Sequence, residues 1–167
     1  MIQPKFTSVD YKSFINNLSS FKAEILLCNS YSLIVRKSVL KLFNYNCINV
    51  HWALLPKNRG ANPTQWAIIK GEDRTGVTIH YMDESLDSGD IISQKELNIA
   101  VENTWVDVND KLKKVALNLL KLELPDILIG KNSRLKQNEA LSSSNKRLNE
   151  DYPRINFAKM TDLEIYN

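Results

Sequence analysis

Two short, nearly continuous apolar runs constrain the fold of this 167-residue chain more than any other feature. They cover residues 23–28 and 47–51, and such runs are typical of strands buried on both faces of a parallel sheet. Apolar residues at helical spacing precede each run, over residues 8–20 and 36–43. This alternation of helix and strand predicts an α/β fold with a mainly parallel sheet, and the first helix is expected to lie on that sheet.

The middle of the sequence predicts a loop, a helix and a pair of strands. Residues 54–63 hold two prolines and a glycine, which predict a shaped loop before a short helix over 66–69. Two strands are predicted over 76–82 and 91–99. The acidic, polar segment 83–90 between them is typical of a turn.

The last part of the sequence predicts a long helix and then a polar segment. Thr104 is the predicted N-cap of this helix, and Pro125 predicts a break near its end. From residue 131 to residue 151 the sequence is polar and serine-rich, which predicts a loop or a flexible segment. We therefore divide the chain into a core over 1–130 and a C-terminal extension over 131–167.

Composition indicates an ordinary globular domain, with 43% hydrophobic and 25% charged residues. Cys28 and Cys47 each lie inside an apolar run, which is typical of packed, reduced thiols and favours a cytoplasmic protein. No stretch approaches the roughly 20 apolar residues of a membrane span, so no membrane association is expected. The net charge of +3 owes much to a basic tail without interleaved aromatic residues, so nucleic acid is not an expected partner.

Three polar side chains are the best candidates for chemistry. Asn49 and His51 lie two positions apart on a predicted strand, so both point to one face at its C-terminal end. Ligands bind outside the carboxyl ends of strands in open α/β sheets, which places this pair where a site is expected. Asp87, in the acidic turn, is the carboxylate expected beside the histidine. A simpler interpretation makes Asp87 an ordinary turn residue and His51 a histidine bonded to a backbone carbonyl.

Other chemistries find less support in the sequence. His80 is expected to have a supporting role, because an isolated strand histidine is more often packed than catalytic. His51, His80, Asp83 and Asp87 are ligand types for a metal ion, but no close pair such as His-x-x-x-His occurs, so no metal is expected. The sequence also lacks a Gly-x-Ser-x-Gly element and a glycine-rich phosphate loop.

Three ordered motifs resemble those of the formyltransferase family. They are Asn-Val-His-Trp-Ala-Leu-Leu-Pro-Lys-Asn-Arg-Gly at 49–60, Thr-Gly-Val-Thr-Ile-His-Tyr-Met-Asp at 75–83, and Leu-Asp-Ser-Gly-Asp-Ile-Ile at 86–92. Their order and spacing make the resemblance, which runs from about residue 23 to 120, highly specific. It implies a partial, Rossmann-like formyltransferase core. The sequence starts only about one helix before residue 23, so the first βα units of the family are expected to be missing.

The resemblance implies that Asn49, His51 and Asp87 form a catalytic trio. An amine that attacks a formyl carbon leaves negative charge on the former carbonyl oxygen, and this charge needs hydrogen-bond donors. The Asn49 amide and a protonated His51 with an ordinary pKa of about 6.5 are expected to supply them. Asp87 is expected to orient His51 and to help pass on the proton that the amine releases.

The resemblance also implies 10-formyltetrahydrofolate as the formyl donor. The residues expected to hold its pterin, largely through their backbone, are Leu33, Ile34, Val35, Met82, Asp83, Glu84 and Leu86. Those expected in supporting positions are His80, Pro56, Arg59 and Gly60. The Leu55–Pro56 peptide bond is expected to be cis.

The acceptor implied by the resemblance is the amine of a nucleotide-linked amino sugar, since no length remains for the barrel domain that grips initiator tRNA. Residues 154–157 and 163–167 resemble the start of a helix in sugar-nucleotide formyltransferases. Two alternatives stay open: a methionyl-tRNA formyltransferase, and a shortened, inactive relative that binds only folate or a partner chain. A homodimer is a further expectation.

Overall fold

The computed structural model describes residues 9–31, 33–44, 46–149 and 159–161. Its strands in chain order are β1 (Leu26–Asn29), β2 (Cys47–His51), β3 (Arg59–Gly60), β4 (Arg74–Tyr81), β5 (Ile91–Asn98) and β6 (Ser144–Asn145). Its helices are α1 (Val9–Ser20), α2 (Lys37–Leu42), α3 (Pro63–Ile69) and α4 (Trp105–Leu128), with a 3-10 turn at Glu139–Leu141. None of the helices in these residues has the length and apolar composition that a membrane crossing requires.

The main sheet has the strand order β1-β2-β4-β5, and β3 pairs with β6 in a second, two-stranded sheet. The predicted α/β class is confirmed, but the expectation of a mainly parallel main sheet is wrong. Only β1 and β2 run parallel in it, whereas β2–β4 and β4–β5 are antiparallel. The segment 52–73 leaves and re-enters the sheet at the same end, and the turn 83–90 reverses the chain again. Neither connection makes the crossover that a parallel neighbour requires.

Strand β2 is buried because apolar clusters lie on both of its faces. On one face Cys28 and Cys47 pack with residues of α1 and α2, as predicted for the first helix. On the other face Ile48 and Val50 pack with residues of β4 and α4. Both cysteines are free thiols, and burial raises the pKa of Cys47 to about 12, so it is a packed, unreactive group.

Helix α4 covers one face of the sheet. It begins with a capping box in which Thr104 and Asp107 each bond the backbone N–H of the other. The predicted break at Pro125 was wrong, since Pro125 lies inside the helix and α4 continues to Leu128. The buried side chain of Ile127 anchors this last turn in the core, which offsets the missing proline donor.

The described part of the polar tail, residues 131–149, has little regular structure, as predicted, but it is bonded to the core. Leu135 and Ile91 exchange two backbone hydrogen bonds of 2.9 and 2.8 Å. The backbone N–H of Ser143 donates to the carbonyl oxygen of Pro56, and the N–H of Arg59 donates to the carbonyl oxygen of Ser143. The tail therefore holds the loop that follows β2. The domain division at residue 130 stays a prediction, and residues 154–157 and 163–167 lie outside the described residues.

We expect Leu112→Ala to lower the free energy of unfolding by about 2–5 kcal/mol, because Leu112 is fully buried between α4 and the sheet and its truncation leaves a cavity. Leu117→Ala is the matched control on the same helix. Leu117 is 54% exposed, so its truncation is expected to cost less than about 0.5 kcal/mol. Urea unfolding of the three proteins measures both values. Equal losses in the two variants would contradict the assigned packing of α4.

Candidate active site

Asn49, His51 and Asp87 meet at the C-terminal end of β2, although Asp87 is 38 residues from Asn49. The Asn49 Nδ2 atom lies 3.5 Å from Asp87 Oδ1, and His51 Nδ1 lies 3.5 Å from Asp87 Oδ2. Asn49 and His51 share one face of β2, as their spacing predicts. The structure thus brings the three side chains together, and their catalytic role stays a prediction.

The turn 83–90 carries Asp87 to this position. The Asp83 carboxylate accepts hydrogen bonds from the backbone N–H of Ser85 and the hydroxyl of Ser88, which closes the first part of the turn. Asp87 has a left-handed backbone with a φ of 51°. At Gly89 a Cβ atom would lie 1.9 Å from the carbonyl oxygen of Tyr81, so the close approach of this turn to β4 requires glycine.

The loop after β2 supplies a backbone donor to the site. The N–H of Gly60 donates to Asp87 Oδ2 over 2.8 Å. Gly60 has a φ of 94°, and a Cβ there would lie 2.6 Å from the carbonyl oxygen of Asn145. The Leu55–Pro56 bond in this loop is cis, as the resemblance implies. Arg59 points the other way and bonds to the tail at Glu139, so its contact with the trio is indirect.

His80 is buried beside the trio and orients Asn49. Its Nδ1 atom lies 2.8 Å from the carbonyl oxygen of Tyr81, so Nδ1 carries a hydrogen and donates. Its Nε2 atom lies 3.2 Å from Asn49 Nδ2 and 3.6 Å from Asp87 Oδ1. In the neutral imidazole Nε2 therefore accepts a hydrogen from the Asn49 amide, which fixes the direction of that amide.

His51 is held as a buried imidazole. Its Nε2 atom donates to the carbonyl oxygen of Asn58 over 2.8 Å, as the simpler interpretation of the sequence expected, and Nδ1 faces Asp87. Burial lowers the pKa of His51, and this effect outweighs the opposite influences of the Asp87 charge and the Asn58 carbonyl. The expectation of an ordinary pKa for His51 is therefore wrong, because the sequence does not reveal how completely the ring is buried. The role of a protonated His51 as a donor during transfer stays a prediction.

Asp87 is the charged member of the trio. Burial alone would raise the pKa of this carboxyl, but the neighbouring His80, His51 and Gly60 N–H together lower it. The pair is thus an ionised Asp87 facing the unprotonated Nδ1 of a neutral His51 across 3.5 Å. A proton can bind between these two acceptor atoms, His51 Nδ1 and Asp87 Oδ2. Among the described residues, no three His, Cys, Asp or Glu side chains form a group that could hold a metal ion.

Two cavities meet at the trio. A small cleft of about 60 Å³ is lined by six of the seven residues that the resemblance implies at a pterin: Leu33, Ile34, Val35, Met82, Asp83 and Leu86. The seventh, Glu84, is not in its lining and instead forms an ion pair of 2.6 Å with Lys37. A larger cavity of about 820 Å³ lies on the other side. The residues that line both are Tyr31, Asn49, Leu86 and Asp87.

The larger cavity contains residues that the sequence analysis missed. Trp105, Asn109 and Lys113 line it from α4, and Arg147 lines it from the tail. The three residues of α4 are spaced four apart and therefore share one face of the helix. This spacing was visible in the sequence, but only the structure shows that this face lines the same cavity as His51.

The fold and the site define an α/β protein with a partly buried Asn-His-Asp cluster between two cavities. Residues 3–124 match the model of the Formyl transferase family, and the chain belongs to this family.

Curated relatives extend this finding. The methionyl-tRNA formyltransferase of Clostridioides difficile (strain 630) is 38% identical over 156 residues, which are 93% of this chain and 50% of the relative. The methionyl-tRNA formyltransferase of Geobacillus sp. (strain WCH70) is 34% identical over 167 residues, which are 100% of this chain and 52% of the relative. The chain thus spans about half the length of these curated relatives.

Solved structures of formyltransferases share the fold. An N-formyltransferase from Helicobacter canadensis, in complex with folinic acid and dTDP-3-aminofucose, superposes with a TM-score of 0.78 at 26% identity, covering 99% of this chain and 64% of that chain. The formyltransferase PseJ from Anoxybacillus kamchatkensis, in complex with UDP-4,6-dideoxy-4-formamido-L-AltNAc and tetrahydrofolate, gives a TM-score of 0.70 at 28% identity, with coverages of 86% and 71%. A 4-N formyltransferase from Francisella tularensis gives 0.77 at 30%, with coverages of 95% and 64%.

The lowered pKa of His51 predicts that acid destabilises the fold. The unfolded chain has the ordinary histidine pKa of about 6.5 and binds more protons than the folded chain below that pH. The free energy of unfolding is therefore expected to fall as the pH drops from 7 to 5. Asp87, whose pKa is also lowered, extends the loss to lower pH. Urea unfolding at several pH values in this range measures how the free energy of unfolding changes with pH.

His51→Gln tests the origin of this slope, because glutamine cannot be protonated. We expect the free energy of unfolding to fall less steeply between pH 7 and pH 5 in the variant than in the wild type. A variant with the same slope as the wild type would show that His51 does not carry the effect.

Proposed function

We propose that this chain transfers a formyl group from 10-formyltetrahydrofolate to the amine of a nucleotide-linked amino sugar. The observation that carries this proposal is that Asn49 and Asp87 line both cavities. A donor in the small cleft and an acceptor in the large cavity would then meet at these two side chains. The membership of the chain in the Formyl transferase family supports the same reaction. Free, buried thiols at Cys28 and Cys47 are compatible with the cytoplasm as its compartment.

The small cleft suits a flat, partly apolar donor. Leu33, Ile34 and Leu86 line it and are 47%, 61% and 55% exposed, so a ring system that covers them would remove apolar surface from water. The structures from Helicobacter canadensis and Anoxybacillus kamchatkensis hold folinic acid and tetrahydrofolate. We therefore assign the small cleft, of about 60 Å³, to the pterin end of the folate, with its formyl group at the trio.

The larger cavity suits an acceptor with an anionic group and a ring. Lys113 and Arg147 are the cationic side chains among the described residues that line it, and Trp105 adds an aromatic surface that is 44% exposed. A nucleotide diphosphate offers negative charge to such cations and a base to such a ring. The two relatives with bound folates also hold nucleotide-linked sugars.

The chemistry of the proposed transfer follows from the pairing of a neutral His51 with an ionised Asp87. An amine that attacks a formyl carbon leaves charge on the oxygen, and the Asn49 amide is placed to donate to it. The bond of 3.5 Å from Asn49 to Asp87 is the weakest in the site and can exchange for that oxygen. The proton that the amine loses can enter the gap between His51 Nδ1 and Asp87 Oδ2. His51 would then act as a proton acceptor. Return of this proton to the folate nitrogen would let the carbon–nitrogen bond of the donor break, so that the formylated acceptor and tetrahydrofolate are released.

Methionyl-tRNA is a second candidate acceptor. The two curated relatives described above are methionyl-tRNA formyltransferases at 38% and 34% identity, whereas the two structures with bound nucleotide-linked sugars are 26% and 28% identical. The same cationic residues, Lys113 and Arg147, would then face the phosphates of the tRNA 3′ end. In both cases the acceptor group is an amine, the donor is 10-formyltetrahydrofolate, and the roles of Asn49, His51 and Asp87 are the same.

A direct assay separates these possibilities. The purified chain is incubated with 10-formyltetrahydrofolate and, in separate reactions, a dTDP-linked 3-amino sugar, a UDP-linked 4-amino sugar and methionyl-tRNA, and formylated products are detected by mass spectrometry. Formylation of an amino sugar nucleotide supports the proposal, and formylation of methionyl-tRNA alone replaces it with the second candidate. Folate binding without transfer to any acceptor identifies an inactive relative and overturns both.

We expect Asp87→Asn to slow turnover by at least about 10²-fold while folate affinity changes little. The substitution removes the charge that would stabilise His51 after it has accepted the proton of the amine, but it keeps the shape of the turn. Single-turnover transfer and fluorescence titration with tetrahydrofolate measure the two quantities separately.

Asp90→Asn is the matched control, because Asp90 lies in the same turn but pairs weakly with Arg134 at 3.7 Å. We expect it to retain wild-type turnover. A wild-type rate in Asp87→Asn would contradict the role assigned to this carboxylate.

A further inference from the structure

We propose that Gln137 is a positioning residue that fixes the Asp87 carboxylate, so that the polar tail forms part of the transfer site. This inference rests on the proposed function, in which Asp87 takes part in the proton transfer. Gln137 lies 50 residues after Asp87, in the tail segment 131–149. Its position in the polar segment gave no sign of such a role.

The Gln137 amide uses both of its N–H donors on the catalytic turn. Its Nε2 atom donates to the carbonyl oxygen of Asp87 over 2.9 Å and to the carbonyl oxygen of Gly89 over 2.8 Å. These two carbonyls flank Ser88. A single side chain thus fixes the backbone on both sides of the residue after Asp87.

The same amide also holds the opposite wall of the site. Its Oε1 atom accepts hydrogen bonds from Arg59 Nε over 3.1 Å and from Arg59 Nη2 over 2.7 Å. Arg59 directly precedes Gly60, whose N–H donates to Asp87 Oδ2. Gln137 therefore ties together the backbone that carries the carboxylate and the loop that donates to it.

The geometry of Asp87 makes this tie important. Its φ of 51° is a conformation that non-glycine residues adopt at a cost, so other contacts must hold it. Its distances to Asn49 Nδ2 and His51 Nδ1 are both 3.5 Å, close to the limit of an effective polar contact. A shift of about 1 Å in the turn would break them, and misplacement on this scale can cost about 10²-fold in rate.

Two substitutions remove the donors of Gln137 while keeping its length. Gln137→Met leaves the Asp87 and Gly89 carbonyls and Arg59 without this partner, whereas Gln137→Glu keeps an acceptor for Arg59 and loses the donors to both carbonyls. Effects shared by the two variants therefore come from the lost N–H donors. Glu139→Gln is the matched control, since Glu139 also bonds Arg59 but has no contact with the turn and a side chain that is 67% exposed.

The kinetic test uses formyl transfer by the full chain. We expect Gln137→Met and Gln137→Glu to lower kcat by about 10-fold to 100-fold, with a smaller change in KM, and Glu139→Gln to stay within about twofold of the wild type. If Gln137 acts through Asp87, Gln137→Met has no further effect on kcat in an Asp87→Asn background. Fully multiplicative effects in the double variant would overturn the inference.

A second readout does not depend on activity. In the wild type the Asp87 charge raises the pKa of His51 against the effect of burial, so displacement of the carboxylate is expected to lower that pKa further. Titration of the His51 ring by ¹⁵N NMR is expected to show this in Gln137→Met and not in Glu139→Gln. An unchanged His51 pKa in folded Gln137 variants would overturn the inference. A loss of folding in both Gln137→Met and Gln137→Glu would also overturn it, because Gln137 would then only stabilise the fold. A wild-type chain without transfer activity refutes the proposed function, while the NMR titration still tests the placement of Asp87.

Discussion

The site depends on one constraint, which is the burial of an ionised carboxylate. Only 12% of the Asp87 side chain is exposed, and a buried charge is costly unless donors and positive groups surround it. Asn49 on β2 and the backbone N–H of Gly60 donate to its carboxylate, and the Gln137 amide of the tail fixes its backbone. None of these segments provides enough donors alone, so the loops must be held at fixed distances around the end of β2.

The burial of the Asp87 charge explains why several polar segments are hydrogen-bonded to one another around the site. The tail pairs with β3, and the loop that contains the cis Leu55–Pro56 bond places Gly60 against Asp87. Burial also determines the protonation of the pair, because it disfavours a charged His51 while the neighbours of Asp87 favour its charge. The result is a neutral acceptor beside an anion, which is suited to receive a proton.

The sequence predicted the elements better than their arrangement. The apolar runs indicated β1 and β2, and the spacing of Asn49 and His51 placed both on one face, because these patterns depend only on local geometry. The antiparallel pairing of β4 could not be read from the pattern, since a run that is buried on both faces looks alike in either direction. The helix through Pro125 and the neutral state of His51 both depend on burial by distant residues. The acidic turn indicated Asp87 as the carboxylate beside His51, whereas family resemblance indicated its place in a catalytic trio and the lining of the small cleft.

The proposed function requires that Asn49, His51 and Asp87 stand where a formyl group and an amine meet. A crystal structure of the chain with 5-formyltetrahydrofolate and an amino sugar nucleotide tests it most directly. We expect the pterin in the small cleft, the formyl oxygen within about 3.2 Å of Asn49 Nδ2, and the acceptor amine beside His51 and Asp87. A folate bound elsewhere, or a formyl group pointing away from Asn49, would contradict it.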